Sequence, residues 1–143
     1  MTVRSLVALA LALPALALAE EAKPAAPAPA ALPPSMESLQ LVLLKRGPAW
    51  TPEVTAATQE LQRQHIAHLT KMGQAGHAVV CGPFSDQKDP SLRGVCLYRV
   101  GSVEEARALA EQDPAVKAGR LTVEVVTWWF EKGYMTFPKA PAR

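Results

Sequence analysis

One histidine lies where a helix should be apolar. Apolar and small residues recur at steps of three and four from Val54 to Met72, which is the period of a helix that buries one face. His65 falls within that stripe, and a buried imidazole needs a hydrogen-bond partner because desolvating an unpaired polar group is costly. Histidine is also the usual proton-transfer residue of enzymes. His65 is therefore the first candidate for general acid–base chemistry.

Asp113 is the best candidate partner for this imidazole. A carboxylate that orients a histidine and balances its charge completes the smallest acid–base unit. Asp113 also precedes Pro114, and Asp before Pro is a good N-cap for a helical turn, so we expect capping and histidine pairing together. A structural pair that only holds helix to sheet is an equal alternative on the residues alone.

The other two histidines give little evidence for a metal site. His68 follows His65 by three residues and shares its helix edge. A His-x-x-His spacing without a matched third ligand more often marks one buried and one edge histidine, and His77 is expected at the surface or the rim. The chain also lacks a Gly-rich phosphate loop. We therefore expect neither a metal ion nor another cofactor.

The sequence does not decide whether its two cysteines form a disulfide. Cys81 and Cys96 fall on strands that we expect to be neighbours, and an exported protein can form a disulfide. Cross-strand disulfides need a narrow geometry, so two small buried thiols are an equally good interpretation. Neither cysteine lies in a recognisable activating environment, so a nucleophilic role is not expected.

Four segments are predicted as strands. Each is apolar or rich in β-branched and aromatic residues and is bounded by Gly, Pro or polar residues. The predicted strands are residues 38–46, 77–81, 94–100 and 121–130.

Two helices are predicted between these strands. Thr51 as N-cap and Pro52 at the first helical position predict the start of the helix that carries the candidate histidine. That helix should end near residues 73–76, where glycines are frequent. Ser102 opens a Ser-x-x-Glu capping box, which predicts a second, shorter helix through Ala110 and then one further turn.

The resulting order, β-α-β-β-α-β, is typical of a ferredoxin-like α+β fold with a four-stranded antiparallel sheet. The first and last strands are apolar on both faces, from Leu41 to Leu44 and from Val125 to Phe130. Helices can cover only one face of a sheet in this topology. A second copy of the chain should therefore cover the other face, as a homodimer.

Composition divides the chain of 143 residues into four parts. Residues 1–19 combine a basic start, an apolar run and an Ala-x-Ala site, which predicts a secretory signal peptide and a periplasmic or secreted protein. The run is shorter than the roughly 20 apolar residues of a membrane span, so we expect no stable membrane insertion after cleavage, with a retained anchor as the alternative. Residues 20–35 form a Pro/Ala-rich disordered linker, 36–137 the folded domain and 138–143 a flexible tail.

Charge argues against nucleic acid as a partner. The chain carries 15 basic and 13 acidic residues, a net charge of +2, and cleavage of the leader would remove only Arg4 among them. No basic run with interleaved aromatic residues is present. We expect a small molecule as the ligand.

A series of short motifs runs through the folded part in a fixed order. The motifs are Gln64-His65-Ile66, Gly76, Cys81-Gly82-Pro83-Phe84, Gly94, Ser102-x-x-Glu105-Ala106, Asp113-Pro114-Ala115-Val116-x-Ala118-Gly119 and Val125-x-x-Trp128. In order and spacing this set resembles the pattern of YCII-related domains, which belong to the dimeric α+β barrels. No single motif is specific, and the resemblance depends on the ordered set.

The resemblance implies a ferredoxin-like dimer in which His65 and Asp113 are the active residues. Activity is unassigned for most members of the family, and a few relatives act on small ring compounds such as chlorinated hydroquinones. The leader and the linker depart from the usual single-domain cytoplasmic members. Aromatic residues suit a flat ligand, and Phe84 and Trp128 are the expected substrate-binding side chains.

Two functions follow as expectations. The first is an exported acid–base enzyme of the lyase or isomerase type, in which His65 and Asp113 act on a small organic molecule. The alternative is a non-catalytic module of the cell envelope that binds a small ligand or a partner, in which the pair only stabilises the fold.

Overall fold

The computed structural model describes residues 31–137. The predicted signal peptide, most of the predicted linker and the predicted tail lie outside the described residues. Residues 31–35 are exposed and precede the first strand. The elements are β1 (Met36–Arg46), α1 (Ala56–Gln74), β2 (Ala78–Pro83), β3 (Leu92–Tyr98), α2 (Val103–Ala110), α3 (Pro114–Lys117) and β4 (Leu121–Glu131).

The four strands form one antiparallel sheet in the order β2-β3-β1-β4. The first strand of the described residues is central, because β1 pairs with β3 on one side and with β4 on the other. This is the predicted β-α-β-β-α-β ferredoxin-like arrangement, with α3 as one extra helical turn before β4. The fold class predicted from the sequence is confirmed, and the strand ends differ from the predicted ones by at most two residues.

The start of α1 is the clearest error of the sequence prediction. The helix begins at Ala56, and its N-cap is Thr55 rather than Thr51. The Thr55 hydroxyl accepts a hydrogen bond from the Thr58 N–H, and the Thr58 hydroxyl accepts one from the Thr55 N–H. This reciprocal cap satisfies two backbone donors at once. The apolar stripe therefore starts inside the helix, and Val54 is 79 % exposed ahead of it.

The second helix begins as predicted. The Ser102 hydroxyl accepts a hydrogen bond from the Glu105 N–H, which caps α2. The Glu105 carboxylate accepts its bond from the Gly101 N–H, one residue before the cap. Ala106 and Ala110 are both buried, and their small side chains let α2 approach the sheet closely.

The core lies between the helices and one face of the sheet. Val42 of β1 is in register with Cys96 of β3 and Val125 of β4, and all three are buried. Met72 of α1 and Ala106 of α2 cover this row from the helical side. Because strand residues alternate between faces, this register sends the residues before and after each of these positions to the opposite face.

That opposite face carries an apolar row across all four strands. Leu41 pairs with Leu97 and with Val126, and Leu97 pairs with Val80. Val80 is 57 % exposed, and Val126 and Trp128 are each 40 % exposed. We call the five residues Leu41, Val80, Leu97, Val126 and Trp128 the open face. No helix of the described residues is long and apolar enough to cross a membrane.

Candidate active site

His65 and Asp113 meet as the sequence predicts. His65 Nδ1 lies 2.5 Å from Asp113 Oδ2, although the two residues are 48 positions apart in the chain. His65 is 7 % exposed and Asp113 is 2 % exposed. The other carboxylate oxygen, Oδ1, accepts a hydrogen bond from the Ala115 N–H at 2.8 Å, so Asp113 also caps α3. The carboxylate is therefore fixed at both oxygens.

This geometry sets the roles of the two imidazole nitrogens. A carboxylate only accepts hydrogen bonds, so Nδ1 of a neutral His65 carries the hydrogen and donates it to Asp113. The lone pair is then on Nε2. His65 lines a cavity of about 260 Å³, so the arrangement can present a proton acceptor to a small molecule.

The cavity lies between α1 and one end of the sheet, where β2 and β3 contribute most of the strand residues, and α3 and the start of β4 close it. Its apolar wall includes Leu44, Leu69 and Leu121. Arg93 and Arg120 line it together with the histidine. No acidic residue lines this cavity within the described part of the chain.

A group of three arginines surrounds one tryptophan at this site. The guanidinium carbons of Arg46, Arg93 and Arg120 lie 3.7, 5.9 and 5.9 Å from the centroid of the Trp50 ring, which itself lines the cavity. These distances are in the range of cation–π contacts. We call these four residues the arginine cluster. The arginine cluster is not predictable from the sequence, because its members come from separate parts of the chain and share no motif.

A glycine contact holds the Trp50 loop in place. The Gly47 N–H donates to the Arg120 carbonyl, and the Ala49 N–H donates to the Gly119 carbonyl, both at 2.9 Å. A Cβ at Gly47 would lie 2.2 Å from the Gly119 carbonyl oxygen. The loop after β1 is thereby fixed against the segment that leads into β4.

We call His65 and Asp113 the dyad, and His68 and Tyr98 lie near it without forming its hydrogen bond. Burial lowers the pKa of His68, against the charge of Asp113, which raises it. The His68 Nε2 is buried and has no hydrogen-bond partner among the described residues. Burial, and after it the charge of Asp113, raises the pKa of Tyr98 to about 12. Tyr98 is therefore a neutral phenol at ordinary pH.

No three metal-ligating side chains converge within residues 31–137. His77 is half-buried just before β2, and its carbonyl accepts a hydrogen bond from the Arg99 N–H. Within these residues, His68 and His77 therefore belong to no group of three potential metal ligands.

Phe84 and Trp128, the predicted substrate contacts, are not brought together with His65. Phe84 follows β2 and is not among the residues that line the cavity. Trp128 belongs to the open face, where its ring lies 5.2 Å from that of Phe130. The tryptophan at the cavity is Trp50 instead. A binding role for Phe84 and Trp128 stays a prediction.

The two cysteines form a disulfide. Cys81 and Cys96 are directly paired residues of β2 and β3, and their sulfurs are bonded. Cys81 lines the cavity, whereas Cys96 is buried in the core. Of the two interpretations that the sequence left open, the structure contains the bridged one.

Comparison with solved structures finds a dehydrochlorinase. It is the 5-chloro-2-hydroxyhydroquinone dehydrochlorinase from Burkholderia phenoliruptrix, in complex with 2,5-dihydroxybenzoquinone. The two chains share 22 % identity with a TM-score of 0.44, over 66 % of this chain and 95 % of that one. A comparison with curated proteins finds no match.

Comparison with protein families gives a direct assignment. The family model for the YCII-related domain matches residues 41–129. The match extends from β1 to β4 and includes both residues of the dyad. This chain belongs to the family of YCII-related domains.

Proposed function

We propose that this protein is an acid–base enzyme of the lyase or isomerase type that acts on a small organic molecule. One observation carries the proposal: His65 lines a cavity while its Nδ1 is bound to a buried carboxylate that is itself held by a helix N-terminus. Such a pair leaves Nε2 as the base. A purely structural histidine has no need of an adjoining cavity.

The chemistry would be a proton transfer at Nε2. His65 takes a proton from a carbon or hydroxyl group of the ligand, and Asp113 stabilises the imidazolium that forms. In an isomerase the same proton returns at another atom of the ligand. In a lyase it accompanies the departing group. The cavity, at about 260 Å³, is near the lower limit of ligand pockets, so the ligand is small.

The proposal places this enzyme outside the cytoplasm as a homodimer. The predicted leader supports export, and the open face supports a second copy because it exposes apolar residues on the side of the sheet that no helix of residues 31–137 covers. Covering that face would bury Val126 and Trp128 and leave the cavity on the helical side available.

The alternative is a binding module without turnover. It is favoured by the double use of Asp113, which caps α3 and would be retained for stability alone. In that case His65 acts as a buried hydrogen-bond donor and nothing more.

Deuterium exchange separates the two functions. Ligands are first found by thermal shift, since a ligand that binds only the folded state raises its stability. Each is then incubated with the protein in deuterated water, and exchange of its C–H groups is followed by NMR. We expect His65→Gln to slow exchange by about 10²-fold or more, the usual contribution of a general base, while the fold is retained.

His77→Gln is the matched control, because His77 lies outside the cavity lining. Its exchange rate should equal that of the wild type. Equal rates in wild type and His65→Gln would contradict the enzyme proposal. Loss of about 1 to 3 kcal/mol of stability in His65→Gln, with no ligand showing exchange in the wild type, would favour the binding module.

A further inference from the structure

We propose that the cavity recognises an anionic ligand, a small organic carboxylate, through Arg93 and Arg120 of the arginine cluster. The proposal deepens the proposed function and rests on it in one respect, that the ligand enters the cavity lined by His65. It concerns binding, so it can be measured without turnover.

The charges of the cluster are unbalanced within the described residues. The ion pairs there join Lys45 to Glu124, Arg63 to Glu60, and the two residues of the dyad. None of them includes an arginine of the cluster. The nearby carboxylate of Asp113 is already fixed at both oxygens by His65 and Ala115. The three arginines are half-buried, and like charges gathered around one ring favour an anion among them, so we infer that an anion from outside the chain is their partner.

The unpaired hydrogen-bond donors of the arginine cluster also favour an anionic ligand. The Nε of Arg46 is buried and has no partner among the described residues. Arg120 has one side-chain bond, from Nη1 to the Thr51 hydroxyl at 3.4 Å. Each guanidinium carries five N–H donors. Most donors of Arg93 and Arg120, the two arginines that line the cavity, are thus free to bind oxygen atoms of a ligand.

A strand irregularity turns Arg93 toward the cavity. Leu44 pairs with Gly94, but the next residue, Lys45, pairs with Leu92, so Arg93 is the extra residue of a β-bulge. Strict alternation would point Arg93 away from the helical face that Gly94 and Cys96 share. Bulges redirect single side chains and are frequent next to active sites. The pairing of β1 with β3 therefore determines the direction of the Arg93 side chain.

The backbone of Arg120 is also fixed in place. It follows Gly119, whose φ of +68° is in the left-handed region, and its carbonyl accepts the Gly47 hydrogen bond. Its guanidinium contacts the Thr51 hydroxyl and the Trp50 ring, and the planar fork of such a group matches the two oxygens of a carboxylate.

The walls select an organic anion over a free inorganic one. Leu44, Leu69 and Leu121 line the same cavity, and apolar walls favour a carbon skeleton. The volume of about 260 Å³ suits a molecule of about one ring. The ligand class is therefore a monocyclic or similarly small carboxylic acid.

The test uses benzoate as the probe, benzamide as its neutral counterpart and inorganic phosphate as the competing anion. Binding is followed by calorimetry and by the indole N–H resonance of Trp50, assigned with Trp50→Phe. We expect benzoate to bind at least tenfold more tightly than benzamide or phosphate. Its affinity should fall as NaCl is raised, because salt screens the guanidinium charges.

Arg93→Gln and Arg120→Gln should each weaken benzoate binding about tenfold, as expected for loss of a charge-assisted hydrogen bond. Arg99→Gln is the matched control, because Arg99 stacks on Phe137 and does not line the cavity. Circular dichroism checks that each variant is folded, and Arg93→Lys, which keeps the charge and loses the fork, should fall between wild type and Arg93→Gln.

Equal affinity for benzoate and benzamide, or no detectable benzoate binding by the folded wild type, would overturn the proposal. Tighter binding of phosphate than of benzoate would overturn the carboxylate class. The two proposals fail separately. Benzoate binding without proton exchange on any ligand would contradict the enzyme, whereas exchange on neutral ligands with no preference for anions would contradict the carboxylate site.

Discussion

Asp113 influences three neighbouring side chains in different ways. It accepts the hydrogen bond of His65, its charge opposes the lowered pKa of His68, and it helps to raise the pKa of Tyr98. These residues come from α1 and β3, so one buried carboxylate organises the polar part of the interior. Removing it would leave His65 buried without its partner, which is costly.

His68 gives a prediction about acid sensitivity. Burial holds the pKa of His68 in the folded protein below its ordinary value of 6.5. As the pH falls below about 6.5, the unfolded chain binds a proton at His68 before the folded chain does, so this residue lowers the free energy of unfolding in acid. We expect His68→Gln to lose less stability than the wild type between pH 7.5 and pH 5.

Urea unfolding at several pH values measures this difference. The groups that act on His68 are Asp113, His65 and Lys71, and all three are kept in the variant. Curves of stability against pH that run parallel in the two proteins would contradict the prediction. The same comparison with His77→Gln provides the control for loss of a histidine elsewhere.

Among the elements, the loop after β1 and the segment before β4 depend on each other. Gly47 and Gly119 are in backbone contact, and this contact places Trp50 beside Arg120. The disulfide joins β2 to β3 at the other side of the cavity. The cavity is thus lined partly by segments that backbone hydrogen bonds and the disulfide hold in place. The histidine, in contrast, comes from a regular helix, α1.

Gly47→Ala tests this contact. Its Cβ would lie 2.2 Å from the carbonyl oxygen of Gly119, and a backbone atom can move away only if the loop shifts. We expect a loss of about 1 to 3 kcal/mol, typical of overpacking, measured by urea unfolding. Gly82→Ala is the control, because no atom lies within 4 Å of the new Cβ there. Equal stability of the two variants would show that the contact is dispensable.

The sequence predicts the helices, the strands and the dyad, but it predicts neither where α1 begins nor the bulge at Arg93. The dyad was predictable because His65 interrupts a helical period and Asp113 stands in a local Asp-Pro signal. Arg93 was not, because a bulge depends on how two strands pair rather than on the residues of one. The start of α1 was misplaced because Thr51-Pro52 and Thr55 offer competing caps, and only Thr55 has Thr58 three residues later to complete a reciprocal pair.

At the scale of the whole molecule, the sheet has two unequal faces. Among the residues that the structure describes, three helices cover one face, and the other carries the open face, partly flanked where Phe137 packs on Phe130. Stable homodimers usually bury extensive apolar surface, and the row from Val80 to Val126 is suited to this purpose.

Val126→Lys tests the proposed homodimer. A lysine there would place a charge in the middle of the buried interface, so we expect light scattering to show a monomer where the wild type is a dimer. Val54→Lys is the matched control, because Val54 is 79 % exposed ahead of α1 and lies off the sheet. A wild type that is monomeric at high micromolar concentration would contradict the proposal.

The central position of β1 also determines when the chain can fold during synthesis. β1 needs β4, the last strand of the described residues, as a neighbour, and Asp113 follows His65 by 48 residues. Contacts so distant in sequence form slowly and only after the intervening chain has been made. A ribosome-bound fragment that ends before residue 121 lacks one side of its central strand. The native sheet therefore forms only after β4 has been made, and chains truncated before residue 121 should be cleared by proteases rather than persist as folded intermediates.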